Sequence, residues 1–196
     1  MKYRILLMAT ALLSLTSFAE ADPLRVRGTV STLNEGIVTV ENAAGHAVDV
    51  KLSDPVVLMY ENIELSEVPE NAYIAVPSVS APDGNRRALA IIVFPEAMRG
   101  MNEGFKPWDL TDQSKMTNAT IAKVVSRGGE NVLTVSFGGQ EQTIYVPSSA
   151  PVTRFHPTQD KTIRVGDNVV IFADDSKGSI TGKYVGMHEN GGLPPV

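Results

Sequence analysis

The chain has 196 residues, with 17 Lys and Arg against 22 Asp and Glu, and it contains no cysteine. This composition argues against nucleic-acid binding, because a net negative chain with scattered Lys and Arg lacks the clustered basic face that phosphate contacts need. The absence of cysteine excludes a disulfide framework and thiolate metal sites or nucleophiles.

Residues 1–21 have the pattern of a secretory signal peptide. Lys2 and Arg4 precede an apolar run that ends at Phe18, and Ala19-Glu20-Ala21 supplies a small-x-small cleavage site. Without two basic and one acidic residue of this segment, the mature chain has 15 basic and 21 acidic residues. No later apolar run reaches the roughly 18 residues of a membrane span. We therefore expect an exported, periplasmic protein with no transmembrane segment in the mature chain.

The sequence after residue 21 predicts short strands separated by turn residues. Between His46 and Leu52, apolar residues alternate with Asp49 and Lys51, which is the period-2 pattern of a sheet with one solvated face. Single helical turns are predicted at 64–70 and 96–101, and neither is long enough to form a stable helix alone. The predicted strands before the connector are 24–33, 37–41, 46–52, 55–60, 72–79 and 87–94.

The same order of strands and turns recurs in the second half of the chain. Arg127-Gly-Gly-Glu130 repeats the first turn, and Val165 to Ile171 aligns with Val68 to Ile74. Such internal similarity indicates a tandem duplication. The predicted strands of the second copy are 118–125, 132–136, 142–146, a short segment at 151–152, 165–171 and 179–187.

A single sheet of about five strands leaves two exposed edges, which closure into a barrel removes. The sequence therefore predicts an all-β protein with two duplicated five-stranded, OB-like antiparallel β-barrels joined by an ordered connector. The alternative is that both copies pair into one larger sandwich. The predicted units are the signal peptide 1–21, the first barrel repeat 22–94, the connector 95–117, the second barrel repeat 118–188 and the C-terminal tail 189–196.

The connector is rich in large apolar residues, which a disordered linker would lack. They are Met98, Met101, Phe105, Trp108, Leu110 and Met116. We expect this segment to pack across one or both barrels, with Trp108 as an anchor whose indole N–H bonds to a carbonyl. Two interpretations stay open for Arg99, Phe105 and Trp108, namely interdomain contact and a ligand-facing strap.

The connector also carries three motifs, Phe94-Pro-Glu-Ala-Met-Arg-Gly100, Pro107-Trp-Asp-Leu110 and Met116-Thr-Asn-Ala119. They resemble the signature of an uncharacterised family of bacterial exported tandem-repeat β-proteins. Each repeat is similar to a bacterial domain of unknown function with a GxV…GDxVxV pattern, carried here by Gly28-x-Val30 and Gly166-Asp-x-Val169. The resemblance implies no established activity. Relatives are sometimes labelled metal ABC transporter permeases, which conflicts with the absence of long apolar spans here.

The sequence offers two sets of metal-ligand candidates. His46, His156 and His188 are far apart in the chain and form no local motif. Met98, Met101 and Met116 are the better candidates, because thioethers suit Cu(I), although methionine also fills irregular apolar gaps. A copper role requires these three side chains to converge on one point.

The sequence contains no pattern that indicates an enzyme. Its serines have no G-x-S-x-G context, and phosphate-binding glycine loops are absent. We therefore expect a non-catalytic binding or assembly module of the cell envelope that requires no cofactor, with an unknown envelope protein or a small ligand as partner. The alternatives are a periplasmic copper-handling accessory and a hydrolase whose site assembles only in three dimensions.

Aromatic and basic side chains are the candidates for ligand contact. The aromatic candidates are Tyr60, Tyr73, Phe105, Trp108, Tyr145 and Phe155, and the basic candidates are Arg86, Arg87, Arg99, Lys106 and Arg154.

Overall fold

The computed structural model describes residues 24–175 and 178–196, which form thirteen β-strands and no α-helix. The all-β prediction is confirmed, and the predicted helical turns are single turns of 3-10 helix at Leu65–Glu67 and Glu96–Met98. The predicted signal peptide, 1–21, lies outside the described residues. The strands are β1 (Leu24–Asn34), β2 (Ile37–Glu41), β3 (Ala47–Asn62), β4 (Tyr73–Ser80), β5 (Arg86–Ala88), β6 (Ile91–Val93), β7 (Gly104–Pro107), β8 (Lys115–Arg127), β9 (Glu130–Phe137), β10 (Gln140–Val146), β11 (Val152–Thr158), β12 (Asn168–Asp174) and β13 (Thr181–His188).

Five strands close into a barrel. They pair in the order β13-β12-β1-β2-β3, and a parallel pairing of β13 with β3 completes the ring. The alternating residues that point inward are mostly valine, and Val38, Val50 and Val169 are fully buried. β-Branched residues suit this pleated, enclosed surface.

A second circuit of strand pairings involves β4, β5, β10, β9 and β8, with β8 returning to β4. Its buried residues form a separate apolar cluster that includes Ile74, Leu133 and Ile144. β8 carries a register shift between Ile121 and Lys123, as β1 does between Val30 and Thr32. The long strands β1 and β8 therefore each carry a bulge.

The circuits do not follow the two sequence copies. The closed barrel takes β1, β2 and β3 from the first copy but β12 and β13 from the second, whereas the sequence predicts that 22–94 and 118–188 each close alone. The reason lies in β3, which is one 16-residue strand where the sequence suggests two. A strand of this length spans about 50 Å, so it extends beyond one small barrel and pairs with β11 outside it.

The connector is ordered and partly strand. β7 pairs antiparallel with β8, and the backbone N–H of Trp108 donates to Ser114 O at 2.9 Å. A third apolar cluster lies between the two circuits and contains Tyr60, Ile92 and Phe155, with Trp108 packed against it. Within the residues that the structure describes, no helix has the length and apolar character needed to cross a bilayer.

Candidate functional site

A cavity of about 580 Å³ lies between the closed barrel and the second circuit. Phe155 joins two other lining rings, since its centroid lies 5.2 Å from those of both Tyr60 and Phe94. The apolar lining is completed by Leu58, Ala75, Ile92, Met98, Met101, Trp108, Met116, Phe172, Ala173, Tyr184 and Val196. The volume and lining are typical of small-molecule sites, which are concave, mostly apolar and edged by a few polar groups.

One wall of the cavity is the β7–β8 hairpin. Because side chains alternate between the two faces of a strand, Lys106 and Trp108 line the cavity from one side of the hairpin, and Met116 and Asn118 line it from β8. Phe105, which precedes Lys106 and lies on the other face, does not line the cavity. Its ring contacts cations instead, with Arg86 and Lys115 at 5.3 and 5.2 Å from the centroid.

Trp108 is fixed by stacking and not by its N–H. The guanidinium of Arg25 lies 3.9 Å from the ring centroid, while Nε1 is buried with no hydrogen-bond partner among the described residues. The prediction that the indole N–H bonds to a carbonyl is therefore wrong. The guanidinium stacks on the face of the indole ring and positions it. No hydrogen-bond acceptor is therefore needed to orient the N–H.

Asp109 holds the connector to the closed barrel. Its carboxylate accepts hydrogen bonds from Arg25 Nε at 2.6 Å and from both terminal nitrogens of Arg27 at 2.8 and 3.1 Å. Burial raises the pKa of Asp109, but the hydrogen bond and charge of Arg27, followed by those of Arg25, outweigh it and keep that pKa below its usual value. Asp109 is therefore charged at neutral pH, and it places Trp108 beside the cavity.

The three methionines that the sequence suggests as copper ligands all line this cavity. Met116 is buried on β8, Met98 is half-buried, and Met101 is 40% exposed at the rim. The backbone of Met101 is held in place, since its carbonyl accepts hydrogen bonds from Tyr73 OH and Asn118 Nδ2. The sequence could not show that the three methionines line one cavity, because Met116 reaches it through the pairing of β8 with β7.

Arg99 does not reach the cavity. Its guanidinium bonds the Glu96 carboxylate and the Asn71 carbonyl, so it joins the start of the connector to the turn before β4. Of the three connector residues predicted to make ligand or interdomain contacts, Trp108 therefore lines the cavity, whereas Arg99 and Phe105 make structural contacts elsewhere. The other predicted candidates that line the cavity are Tyr60, Lys106 and Phe155.

The histidines are dispersed. His46 is exposed in the loop before β3, and His156 is exposed on β11. The ring of the buried His188 bonds the Asn62 side chain and the Asn190 backbone. Among the described residues, no group of three His, Asp or Glu side chains is placed to hold a metal ion. A hydrolytic pairing of His188 with a serine is not part of this arrangement.

The tail beyond β13 closes one side of the cavity. Val196 is buried in the apolar cluster between the circuits, and its carbonyl accepts a hydrogen bond of 2.6 Å from Arg27 Nε. Asn168 Nδ2 donates to Gly191 O and fixes the start of the tail. Arg27 therefore contacts both segments that cover the cavity, the connector through Asp109 and the tail through Val196.

Several lining residues are not among the sequence-predicted candidates. Phe94, Asn118 and Lys183 are examples, and Asn118 is the most unusual because its Oδ1 atom is buried without a hydrogen-bond partner in the described structure. Of these residues, only Asn118 could have been predicted from the sequence. It lies two residues from Met116, and residues two apart in a strand point to the same face. Lys183 is brought to the site by the pairings of β13 with β12 and β3, which local patterns do not encode.

No protein-family model, curated protein or solved structure matches this chain. The family resemblance of the connector motifs stays a prediction, and the function has to be argued from the geometry of the site.

Proposed function

We propose that this protein is an exported, non-catalytic binding module of the cell envelope, and that the cavity between the two circuits binds a small, largely apolar ligand. One observation carries the proposal, namely the cavity of about 580 Å³ with six aromatic rings and three methionines in its lining. Aromatic and methionine side chains supply large, adaptable contact surface for apolar ligands. The Asp109 network supports it further, since it holds one wall in place before any ligand arrives.

The proposed architecture is a duplicated pair of OB-like barrels that have exchanged strands. The two circuits have matching pairing patterns, with β1-β2-β3 corresponding to β8-β9-β10 and β12 corresponding to β4. In this interpretation the cavity exists because the exchange brings the outer faces of both circuits together. Small barrels of this kind bind ligands on a sheet face.

Titration with N-phenyl-1-naphthylamine, a neutral apolar dye, tests the proposal. We expect the dye to become fluorescent on binding and to accept energy from Trp108, the only tryptophan in the chain. Met101→Asp should weaken binding by about tenfold or more, because it places a charge against an apolar ligand at the rim. Met101 is 40% exposed, so this variant should still fold.

Leu33→Asp is the matched control, because Leu33 is 41% exposed and lies outside the cavity lining. It should leave the affinity for the dye unchanged. Equal weakening in both variants, or no saturable binding by the unchanged protein, would refute the cavity as the binding site.

A second candidate function is Cu(I) handling, which the placement of Met98, Met101 and Met116 on one cavity favours. Thioether sulfur is a soft ligand that suits Cu(I).

Anaerobic Cu(I) titration against a chromophoric chelator should show stoichiometric binding that Met98→Leu with Met101→Leu abolishes. Met59→Leu with Met187→Leu is the control, since these two methionines face each other across β3 and β13 in the barrel core. Loss of Cu(I) binding in the control alone would contradict the site.

A further inference from the structure

The apolar part of the cavity is continuous from its base to one rim. Tyr60 and Phe155 are nearly fully buried at the base, and the methionines extend the apolar surface toward the exposed Met101. A ligand that fills this volume must therefore present an extended apolar body to it.

The charged lining residues are Lys106, Lys183 and Asp174, within the part of the chain that the structure describes. Lys183 is exposed on the barrel side, and its ammonium lies 5.6 Å from the Tyr184 ring centroid. Lys106 is half-buried on the hairpin wall, and Lys106 and Asp174 also take part in further interactions. Two lysines against one aspartate give the rim a net positive charge, which complements an anion.

A hydrogen-bond donor lies next to this charge. Trp108 follows Lys106 by two residues on the same face of the hairpin, a distance of about 7 Å along the backbone, and its buried Nε1 has no acceptor in the described structure. The buried acceptor without a partner, Asn118 Oδ1, lies toward the opposite end of β7 from Trp108. Asn118 pairs with Gly104 at the start of β7, whereas Lys106, closer to Trp108, pairs with Met116. An acidic head group therefore fits the end of the wall that carries Lys106, by the charge of the lysines and not by the buried N–H.

We infer that the ligand is a monomeric amphiphile with a single apolar chain and a carboxylate head group. This inference rests on the proposed function and adds the chemical class of the ligand. The chain lies on the aromatic and methionine surface, and the carboxylate faces Lys106 and Lys183. Burial of the chain supplies most of the affinity, and the lysines select the sign of the head group.

Three amphiphiles of equal chain length test this inference, namely decanoate, decanol and decyltrimethylammonium. Trp108 fluorescence reports the affinity of the full mature protein for each of them. We expect decanoate to bind about fivefold more tightly than decanol and decyltrimethylammonium to bind most weakly. Raising the NaCl concentration from about 20 to about 500 mM should weaken decanoate binding and leave decanol binding nearly unchanged, since salt screens charges near a surface.

Lys106→Gln with Lys183→Gln should reduce the affinity for decanoate to that for decanol, a loss of about fivefold, because partly exposed ion pairs are individually weak. The affinity for decanol should stay within twofold, which shows that the variant is folded and the cavity intact. Lys123→Gln with Lys161→Gln removes the same charge at exposed positions outside the lining and should leave decanoate binding unchanged.

Equal binding of the three amphiphiles, or preference for the cation, would overturn the inference on the head group while leaving the cavity as an apolar site. An effect of the control pair equal to that of the lysine pair would overturn it too, because overall charge would then explain the preference. Failure of all three amphiphiles and of the neutral dye to bind would overturn the proposed function itself.

Discussion

At the residue scale, the backbone of β1 depends on the absence of a side chain at Gly28. A Cβ atom at this position would lie 2.1 Å from the carbonyl oxygen of Glu41, at the end of β2. No real Cβ atom makes such a contact, and the group in the way is backbone that cannot rotate aside. The close approach occurs at the end of the pairing of β1 with β12, just before its pairing with β2 begins at Thr29. This glycine therefore allows β1 to pair with both neighbours.

Gly28→Ala should therefore lower the free energy of unfolding by about 3 kcal/mol or more, as expected when a group is forced into occupied space. Urea denaturation followed by circular dichroism measures the loss. Gly84→Ala is the control, because Gly84 has a φ of +85° but nothing within 4 Å of an added Cβ. It should cost only the backbone term of about 1–2 kcal/mol. Equal losses in the two variants would contradict the steric explanation.

At the element scale, the connector behaves as a wall of the site and not as a linker. Its start is tied to the second circuit, where Tyr73 OH and Asn118 Nδ2 donate to Met101 O. Burial raises the pKa of Tyr73 to about 12, so this phenol keeps its proton and remains a donor at neutral pH. The end of the connector is tied to the closed barrel through Asp109. The segment thus bridges both circuits, and the cavity beneath it depends on both attachments.

Asp109→Asn should lower the free energy of unfolding at pH 7 by about 1 kcal/mol, a small value for a charged network because the Asp109 side chain is 45% exposed. The pKa of Asp109 in the folded state lies below its unfolded value of about 3.9. The stabilisation is therefore present above that value and is lost as the pH falls through the lower, folded-state pKa. Urea denaturation at pH 7 and at about pH 3 should show the difference between variant and parent shrinking in acid.

Glu96→Gln is the control for this prediction. Glu96 also pairs with an arginine, Arg99, but it is 76% exposed, and exposed pairs contribute little to stability. We expect little change at either pH. A stability difference for Asp109→Asn that is the same at pH 7 and in acid would show that its carboxylate charge does not hold the connector.

At the scale of the whole molecule, the two halves of the chain depend on each other. The closed barrel needs β12 and β13, which follow the connector, and the second circuit needs β4 and β5, which precede it. Each half alone would expose unpaired strand edges and half of an apolar core. The long-range pairings also have a high cost in loop-closure entropy.

A chain of residues 22–94 alone should therefore show no cooperative thermal unfolding by circular dichroism. Mixed with residues 95–196, it should recover a cooperative transition and a 1:1 complex in size-exclusion chromatography. The reason is that β12 and β13 then meet β1 and β3, and β4 and β5 meet β8 and β10. Full-length protein cleaved in the connector is the control and should stay associated. Cooperative unfolding of 22–94 by itself would contradict the dependence of each circuit on both halves.

The sequence by itself determined where most strands lie and which of their residues are buried. The alternation of Val48, Val50 and Leu52 marks one face of β3, and the turn at 34–36 separates β1 from β2. The apolar residues of the connector also indicate correctly that it is ordered. These features are encoded by neighbours a few residues apart, since side-chain period and turn chemistry are local properties.

Only the tertiary structure decided which strands pair and what they enclose. β1 pairs with β12 more than a hundred residues later, and nothing in the pattern of either strand specifies that partner, because any strand edge offers the same backbone donors and acceptors. The cavity follows from that pairing. Lys106, Met116 and Lys183 line the same cavity because β7 pairs with β8 and β13 pairs with β3 and β12. These pairings bring three distant segments around one apolar space.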